Sequence, residues 1–377
     1  MAAESILSPI YSLIDAPLSG ARSASSGRTL TNTNLWKKKY RNIFKYFPPQ
    51  MKSRIRWYLL GDRVRFIKDI KKSMIDADVV ILGGGQLIKN NIALFCDRIH
   101  ALNALLVKSN LPYLLIGVGV DDKMNLLTWS LVRNFMERCT VILVRDPISK
   151  SAVLSNCNVT GKLSVVPDLV FSLKNPALND FNTERGKTIG INIMCFSTAL
   201  EGGTNVSRLE VTDIASGYVR LVEKAINDGF SVQLFTSGSD EDLVAADYIS
   251  NIILDRIGVK LSVVHPDNLD RLLEFLVSMQ DVISARMHVG ILAYISRCNP
   301  VCLNWDNKVQ GVWSVINEDE RVFDLVDIID TGRMDAVLKK LSLLMPPTAE
   351  ALAVLAADVR SGLLQELSTP TCLKSGI

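Results

Sequence analysis

From Asp76 onward the chain alternates short apolar runs with longer stretches in which apolar residues recur at helical spacing. The first kind reads as buried strands and the second as amphipathic helices. Residues 62–75 carry Val64, Ile67, Ile70 and Met74 or Ile75 on one helical stripe. Asp76–Leu87 is a buried strand that runs into the triple-glycine turn Gly83-Gly84-Gly85. A helix over about 91–108, a strand over 111–118, a helix over 126–138 and a strand over 141–144 follow. A helix starts in 149–154, and a fourth short strand ends in Val165-Val166-Pro167-Asp168. Alternation of this kind predicts parallel βαβ units.

The stretch 174–187 is polar and breaks the pattern, so a domain boundary is expected there. The alternation then restarts. Strands are expected at 189–193, 232–236 and 261–264, and helices at 209–228, 240–257 and 269–277. Next come a strand at 281–284, a helix at 289–295 and a strand at 301–303. Two apolar helices, 333–344 and 348–366, finish the pattern. The expected domains are a basic amino-terminal segment (1–60), an α/β unit (61–177), a second α/β unit (186–332) and carboxyl-terminal helices (333–377). Each unit is expected to be a Rossmann-like doubly wound sheet, the two facing each other across a cleft.

Composition changes this picture little. At 377 residues, 48% apolar and 21% charged, the chain is globular and has room for two cores. Its seven cysteines form no CxxC pair and are odd in number, which fits reduced thiols in a cytoplasmic protein. Cys298 and Cys302 have half the spacing of a zinc site, but no second pair lies nearby, so no metal is expected. No secretory signal or spanning run is read. Charge is uneven. Residues 35–73 hold thirteen Lys and Arg against Asp62 and Asp69, a local +11 in a chain of net +3, with eight aromatics interleaved. Such a segment is either a solvated helical face or a contact for anionic lipid, the latter placing the protein on the inner face of a membrane. No nucleic-acid module accompanies it, so no nucleic-acid partner is expected.

The stretch 279–308 holds the densest candidate chemistry. Arg286 and His288 follow the 281–284 strand, and Asp306 and Lys308 follow the 301–303 strand. Ligands of open parallel sheets bind outside the carboxyl ends of strands. Cations and an imidazole at that edge therefore point to an anionic substrate. Besides His288, the chain has only His100 and His265.

Taken in order, the sequence resembles the polysaccharide pyruvyl transferases. The residues that carry the resemblance are Gly83-Gly84-Gly85-Gln86-Leu87, Gly117-Val118-Gly119, Val144-Arg145-Asp146-Pro147-Ile148-Ser149, Val166-Pro167-Asp168, Arg286-Met287-His288 and Trp305-Asp306-Asn307-Lys308. It covers roughly 74–320. The family's opening strand and Asn-x-Gly-Asp turn have no readable counterpart; Gly61-Asp62 lies in the basic segment.

The resemblance implies two Rossmann-like halves in a GT-B-like arrangement. It also implies transfer of a pyruvyl group from phosphoenolpyruvate, as donor substrate with no cofactor, to a saccharide acceptor on a lipid carrier or bound for a surface polysaccharide. In that chemistry His288 fits general acid/base work and Arg286 an anion clamp. Gly83, Gly84 and Gly85 would let backbone N–H groups and a helix amino end approach an anion. Arg145, Asp168 and Lys308 complete the expected substrate contacts. Each has a plainer alternative: an ion pair between Arg286 and an aspartate across the domain junction, a structural Arg145–Asp146 pair, or a cap at Asp168. Two other functions remain open at this point, a nucleotide-sugar glycosyltransferase and a non-catalytic saccharide-binding relative.

Overall fold

In a computed structural model, residues 55–59, 61–89, 95–178, 185–200, 209–306 and 308–367 are described. Most of the expected segment 1–60 lies outside them. The described chain divides into two compact units. The first holds the residues up to Val144 together with Ile148–Val165, and the second holds Arg145–Pro147 and Val166–Gln365.

In the first unit, helix α1 (Asp62–Ser73) precedes strand β1 (Val80–Gly83), helix α2 (Phe95–Ser109) and strand β2 (Tyr113–Val118). Helix α3 (Leu126–Arg138), strand β3 (Val141–Val144), helix α4 (from Pro147 to Asn156) and strand β4 (Lys162–Val165) follow. The four strands are parallel in the order β1-β2-β3-β4. Every residue of β2 and β3 is buried, as expected of central parallel strands covered on both faces. Trp129, Phe135 and Met136 of α3 pack with Ile99, Leu102 and Leu106 of α2 against Leu115 and Ile142. The described strands of this sheet run in sequence order and contain no switch point.

The second unit contains strand β5 (Thr188–Asn192), the short helix α5 (Phe196–Leu200), helix α6 (Val211–Asn227), strand β6 (Ser231–Phe235) and helix α7 (Asp240–Ile257). Strand β7 (Val263–Val264), helix α8 (Leu269–Val277), strand β8 (Asp281–Ser284), helix α9 (Met287–Ile295) and strand β9 (Asn299–Asn304) come next. Helix α10 (Lys308–Ser314), strand β10 (Val322–Asp324), helix α11 (Thr331–Leu343) and helix α12 (Ala349–Leu367) close it. Its six parallel strands are ordered β10-β9-β8-β5-β6-β7. This sheet is doubly wound. The chain starts at β5, steps out to β6 and β7, then returns to β8 on the other side. The reversal leaves a switch point between the carboxyl ends of β5 and β8, where open α/β sheets bind ligands.

The boundary falls earlier than the polar stretch 174–187 indicates, because a 3-10 turn over Leu169–Ser172 buries Phe171 against Tyr294 and Trp313 of the second unit. Nor do the last two helices form a separate part. Met334, Val337, Leu338 and Leu341 of α11 enter the second unit's core, and Val359 of α12 packs in the cluster around Phe171. No described helix is long and apolar enough to cross a membrane.

Candidate active site

Helix α9 carries His288 in its first turn and is apolar all round, with every residue from Val289 to Ile295 buried. Gly290 lets it sit hard on β9: a Cβ there would collide with the Cys302 sulfur. The loop in front of α9 is fixed by its backbone. Asn192, at the end of β5, accepts from the Ser284 hydroxyl at 3.2 Å and from Arg286 N–H at 3.4 Å. Ser284 also donates to the Arg286 carbonyl at 2.8 Å, and Trp305 Nε1 donates to the Ala285 carbonyl at 2.7 Å.

The fold brings together three of the residues singled out in the sequence, all in the second unit. Asp168 Oδ2 lies 3.2 Å from Arg145 Nη1 and 3.5 Å from His288 Nε2. Arg145 Nη1 is itself 3.4 Å from His288 Nε2. Arg145 and Asp168 are buried, whereas the His288 side chain is 47% exposed. Burial alone would push the Asp168 carboxyl up. His288 as hydrogen-bond partner and charge, the Arg145 guanidinium and the Val170 N–H together outweigh it and hold the group below its ordinary range. Asp168 Oδ1 also accepts the Val170 N–H at 3.1 Å, so the cap and the ion pair are both present on one carboxylate. Arg145 Nε is buried with no hydrogen-bond partner among the described residues.

A donor and an acceptor thus converge on one ring nitrogen. In the neutral imidazole, Nε2 either donates to Asp168 or accepts from Arg145. In the imidazolium it can only donate, and then Asp168 is its acceptor. Nδ1 makes no hydrogen bond among the described residues.

Arg286 is placed differently from the expectation of a free clamp. Its Nε and Nη2 donate to the two oxygens of Asp242, at 3.0 and 2.7 Å. The alternative reading, an ion pair with an aspartate, therefore holds, but the partner belongs to α7 of the same unit and not to the other side of a domain junction. Sequence reasoning missed Asp242. It is the third acidic residue of the first turn of α7 (Asp240-Glu241-Asp242), a position that reads as a solvated helix start, yet it is fully buried.

Lys308 is 4% exposed and opens α10, its backbone N–H 3.3 Å from Asp306 Oδ1. Asp146 is buried beneath the same helix, where a Cβ on Gly311 would stand 3.1 Å from its own. Gly83, Gly84 and Gly85 belong to the first unit. Gly84 and Gly85 take left-handed φ of 74° and 67°, which glycine adopts without strain. The turn is pinned to the end of β2 by Gly84 N–H to the Ile116 carbonyl (2.9 Å) and Gly119 N–H to the Gly85 carbonyl (2.8 Å). The helix expected over about 91–108 is described from Phe95, and ahead of it Ile88 bridges Val120 in parallel fashion, so no helix amino end stands at Gly85. Cys298 and Cys302 are buried core thiols, both pushed up to about 12 chiefly by burial. Among the described residues no three His, Cys, Asp or Glu converge as a metal-ligand set.

The model of the family "Polysaccharide pyruvyl transferase" matches residues 25–307. The chain belongs to the polysaccharide pyruvyl transferase family. No curated protein matches its sequence. Among solved structures, Anabaena Alr3699/HepE in complex with UDP and glucose is similar at 9% identity and a TM-score of 0.51, over 83% of each chain. The UDP-GlcNAc 2-epimerase of Neisseria meningitidis bound to UDP-GlcNAc aligns at 13% identity and a TM-score of 0.49, over 80% of this chain and 81% of that one. A UDP-forming α,α-trehalose-phosphate synthase of Burkholderia xenovorans does so at 13% and 0.48, over 88% and 79%. The likeness to Alr3699/HepE shows the fold, an α/β chain of two Rossmann-like units in the GT-B-like class. Membership of this family makes the protein a transferase.

Proposed function

We propose that the protein transfers the pyruvyl group of phosphoenolpyruvate to two hydroxyls of a saccharide, forming a cyclic ketal and releasing phosphate. The observation that carries this reading is the Arg145–Asp168–His288 cluster at 3.2–3.5 Å, built in a member of this family.

The reaction balances as follows. One hydroxyl adds to C2 of the donor while a proton adds to C3, which becomes the methyl group. The second hydroxyl then displaces phosphate from C2, and its proton leaves with the phosphate. His288 suits the proton transfers because its imidazole is half-exposed on one side and backed by a buried carboxylate on the other. Asp168 stabilises the imidazolium when the ring holds the hydroxyl proton. Arg145 raises the positive potential at the cluster, where the donor's anionic groups need compensation. The Nη1–Nη2 edge of Arg286, left over by Asp242, suits the donor's carboxylate or phosphate.

The saccharide acceptor is expected on a lipid carrier, and the basic segment 35–73 is the proposed contact with the membrane's inner face. Only its part within 55–59 and 61–73 lies among the described residues. There Arg63, Arg65, Lys68, Lys71 and Lys72 of α1 are exposed, while Phe66 and Ile67 pack with Trp57 and Ala101.

Thermal unfolding with millimolar phosphoenolpyruvate, and separately with UDP, tests the donor. A ligand that binds the native state raises the midpoint. A rise with phosphoenolpyruvate alone supports the reading. A rise with UDP alone replaces it with nucleotide-sugar transfer.

A further inference from the structure

Asp242 is a fully buried carboxylate that grips a candidate ligand-binding side chain, Arg286. Its two oxygens serve four donors: Arg286 Nη2 and Cys195 N–H on Oδ1, each at 2.7 Å, and Arg286 Nε at 3.0 Å with Ser237 Oγ at 3.4 Å on Oδ2. Its place in the first turn of α7 lends it the favourable end of the helix dipole. The carboxylate is thus fully used, and its orientation is set from three elements at once: the end of β5, the loop after β6, and α7.

What it does to Arg286 follows from guanidinium geometry. The group has five N–H donors on two usable edges. Asp242 occupies the side edge, Nε with Nη2. The end edge, one hydrogen of Nη1 and the second of Nη2, makes no hydrogen bond among the described residues, and the Arg286 side chain is 32% exposed. The backbone of Arg286 is held separately by Asn192 and Ser284. Both ends of a long flexible side chain are therefore fixed at the β5/β8 switch point, and little rotamer freedom is left to lose on binding.

We infer that Asp242 is a positioning residue for substrate binding: by taking the side edge of Arg286 it holds the end edge ready for one bidentate anionic group, a carboxylate or phosphate of the donor. This rests on the donor reading above.

The test is the affinity for phosphoenolpyruvate, measured by calorimetry, in the wild type, Asp242→Asn, Arg286→Gln and the double variant. Asp242→Asn is expected to weaken binding by about tenfold to a hundredfold, in the range seen when a partner behind a binding group is removed. The double variant is expected to bind no worse than Arg286→Gln, because Asp242 acts only through Arg286. Weakening that adds fully to that of Arg286→Gln, or no weakening in Asp242→Asn, overturns the assignment.

Asp242→Asn leaves Arg286 without its counter-charge and can fail to fold, so Arg286→Lys is measured as well. It keeps the charge and the ion pair. A lysine engaged by Asp242 has no second edge for the anion and is expected to bind as poorly as Arg286→Gln. Affinity near that of the wild type would mean that Arg286 supplies charge alone and that Asp242 has no positioning role. A wild type that shows no affinity for phosphoenolpyruvate defeats the donor reading as well as this one. A wild type that binds, with variants outside the expected pattern, defeats this assignment only.

Discussion

The carboxylate of Asp168 stands 3.5 Å from His288 Nε2 while its other oxygen caps the 3-10 turn that begins at Leu169. One side chain therefore joins the turn that opens the second unit's core to the candidate acid/base. The two residues should respond differently to substitution. His288 is half-exposed, so His288→Ala is expected to leave stability nearly unchanged and to lower turnover by about 10²–10⁴-fold, the worth of a general acid/base. Asp168→Asn should lower turnover too, and also destabilise by about 3–5 kcal/mol, because Arg145 is left buried without its counter-charge. Paired urea unfolding and product assays separate the two. His288→Ala with near-normal turnover would remove it from the chemistry.

Acid and base should act on different buried carboxylates. The folded-state pKa of Asp168 lies below its ordinary value. Its contribution to stability is therefore present at neutral pH and is lost as pH falls through that lowered value. Asp281 has the opposite sign. Burial pushes its carboxyl up to about 6, and the 2.9 Å hydrogen bond from Asn299 offsets this only in part. Its contribution is full below the ordinary carboxylate range and is lost as pH rises through about 6. Asp281→Asn is thus expected to be more stable than the wild type at pH above about 7, by up to about 3 kcal/mol, with the gap closing on acidification. Urea midpoints across pH check this. A gap that does not depend on pH would contradict it.

The seat of α9 can be probed at Gly290. Gly290→Ala places a methyl group on the Cys302 sulfur, and overpacking of this kind costs about 1–3 kcal/mol. The helix must shift off β9, taking His288 away from Asp168, so turnover should fall more than the stability loss accounts for. A double variant with Cys302→Ala frees the space and should recover both. Recovery of stability without recovery of turnover would argue against the helix position as the cause.

Membrane contact through α1 predicts electrostatic binding. Replacing the exposed Lys68, Lys71 and Lys72 with glutamine should weaken co-sedimentation with phosphatidylserine vesicles by on the order of a hundredfold, at about 1 kcal/mol per charge. Added salt should do the same to the wild type. Unchanged sedimentation would leave this face as a solvated one.

Much of the fold was legible before the structure. Leu126–Arg138, Val141–Val144, Asp240–Ile257, Leu269–Val277 and Asp281–Ser284 have the same bounds in sequence pattern and structure. The reason is physical: a strand covered on both faces is an unbroken apolar run, and a helix over a sheet repeats its apolar stripe. Strand β10 was not read from the pattern, since three residues at a sheet edge carry too short a signal. The family was legible too, because its ordered motifs lie along the chain and need no folding to be recognised.

Partners far apart in sequence were not legible in the same way. Nothing local distinguishes Asp242 from Asp240 and Glu241. Only the packing of α7 beside the β5/β8 switch point buries the third acidic residue under Arg286. The glycine turn reads as an anion cradle with a helix behind it, yet pairing with the end of β2 draws the chain on to Ile88 instead. Sequence periodicity by itself determined which segments are strands and helices and which residues reach the strand ends, because those follow from local burial. Tertiary structure alone decided which charges meet, because the cost of burying a charge is met only by a counter-charge that the winding of the sheet brings from elsewhere in the chain.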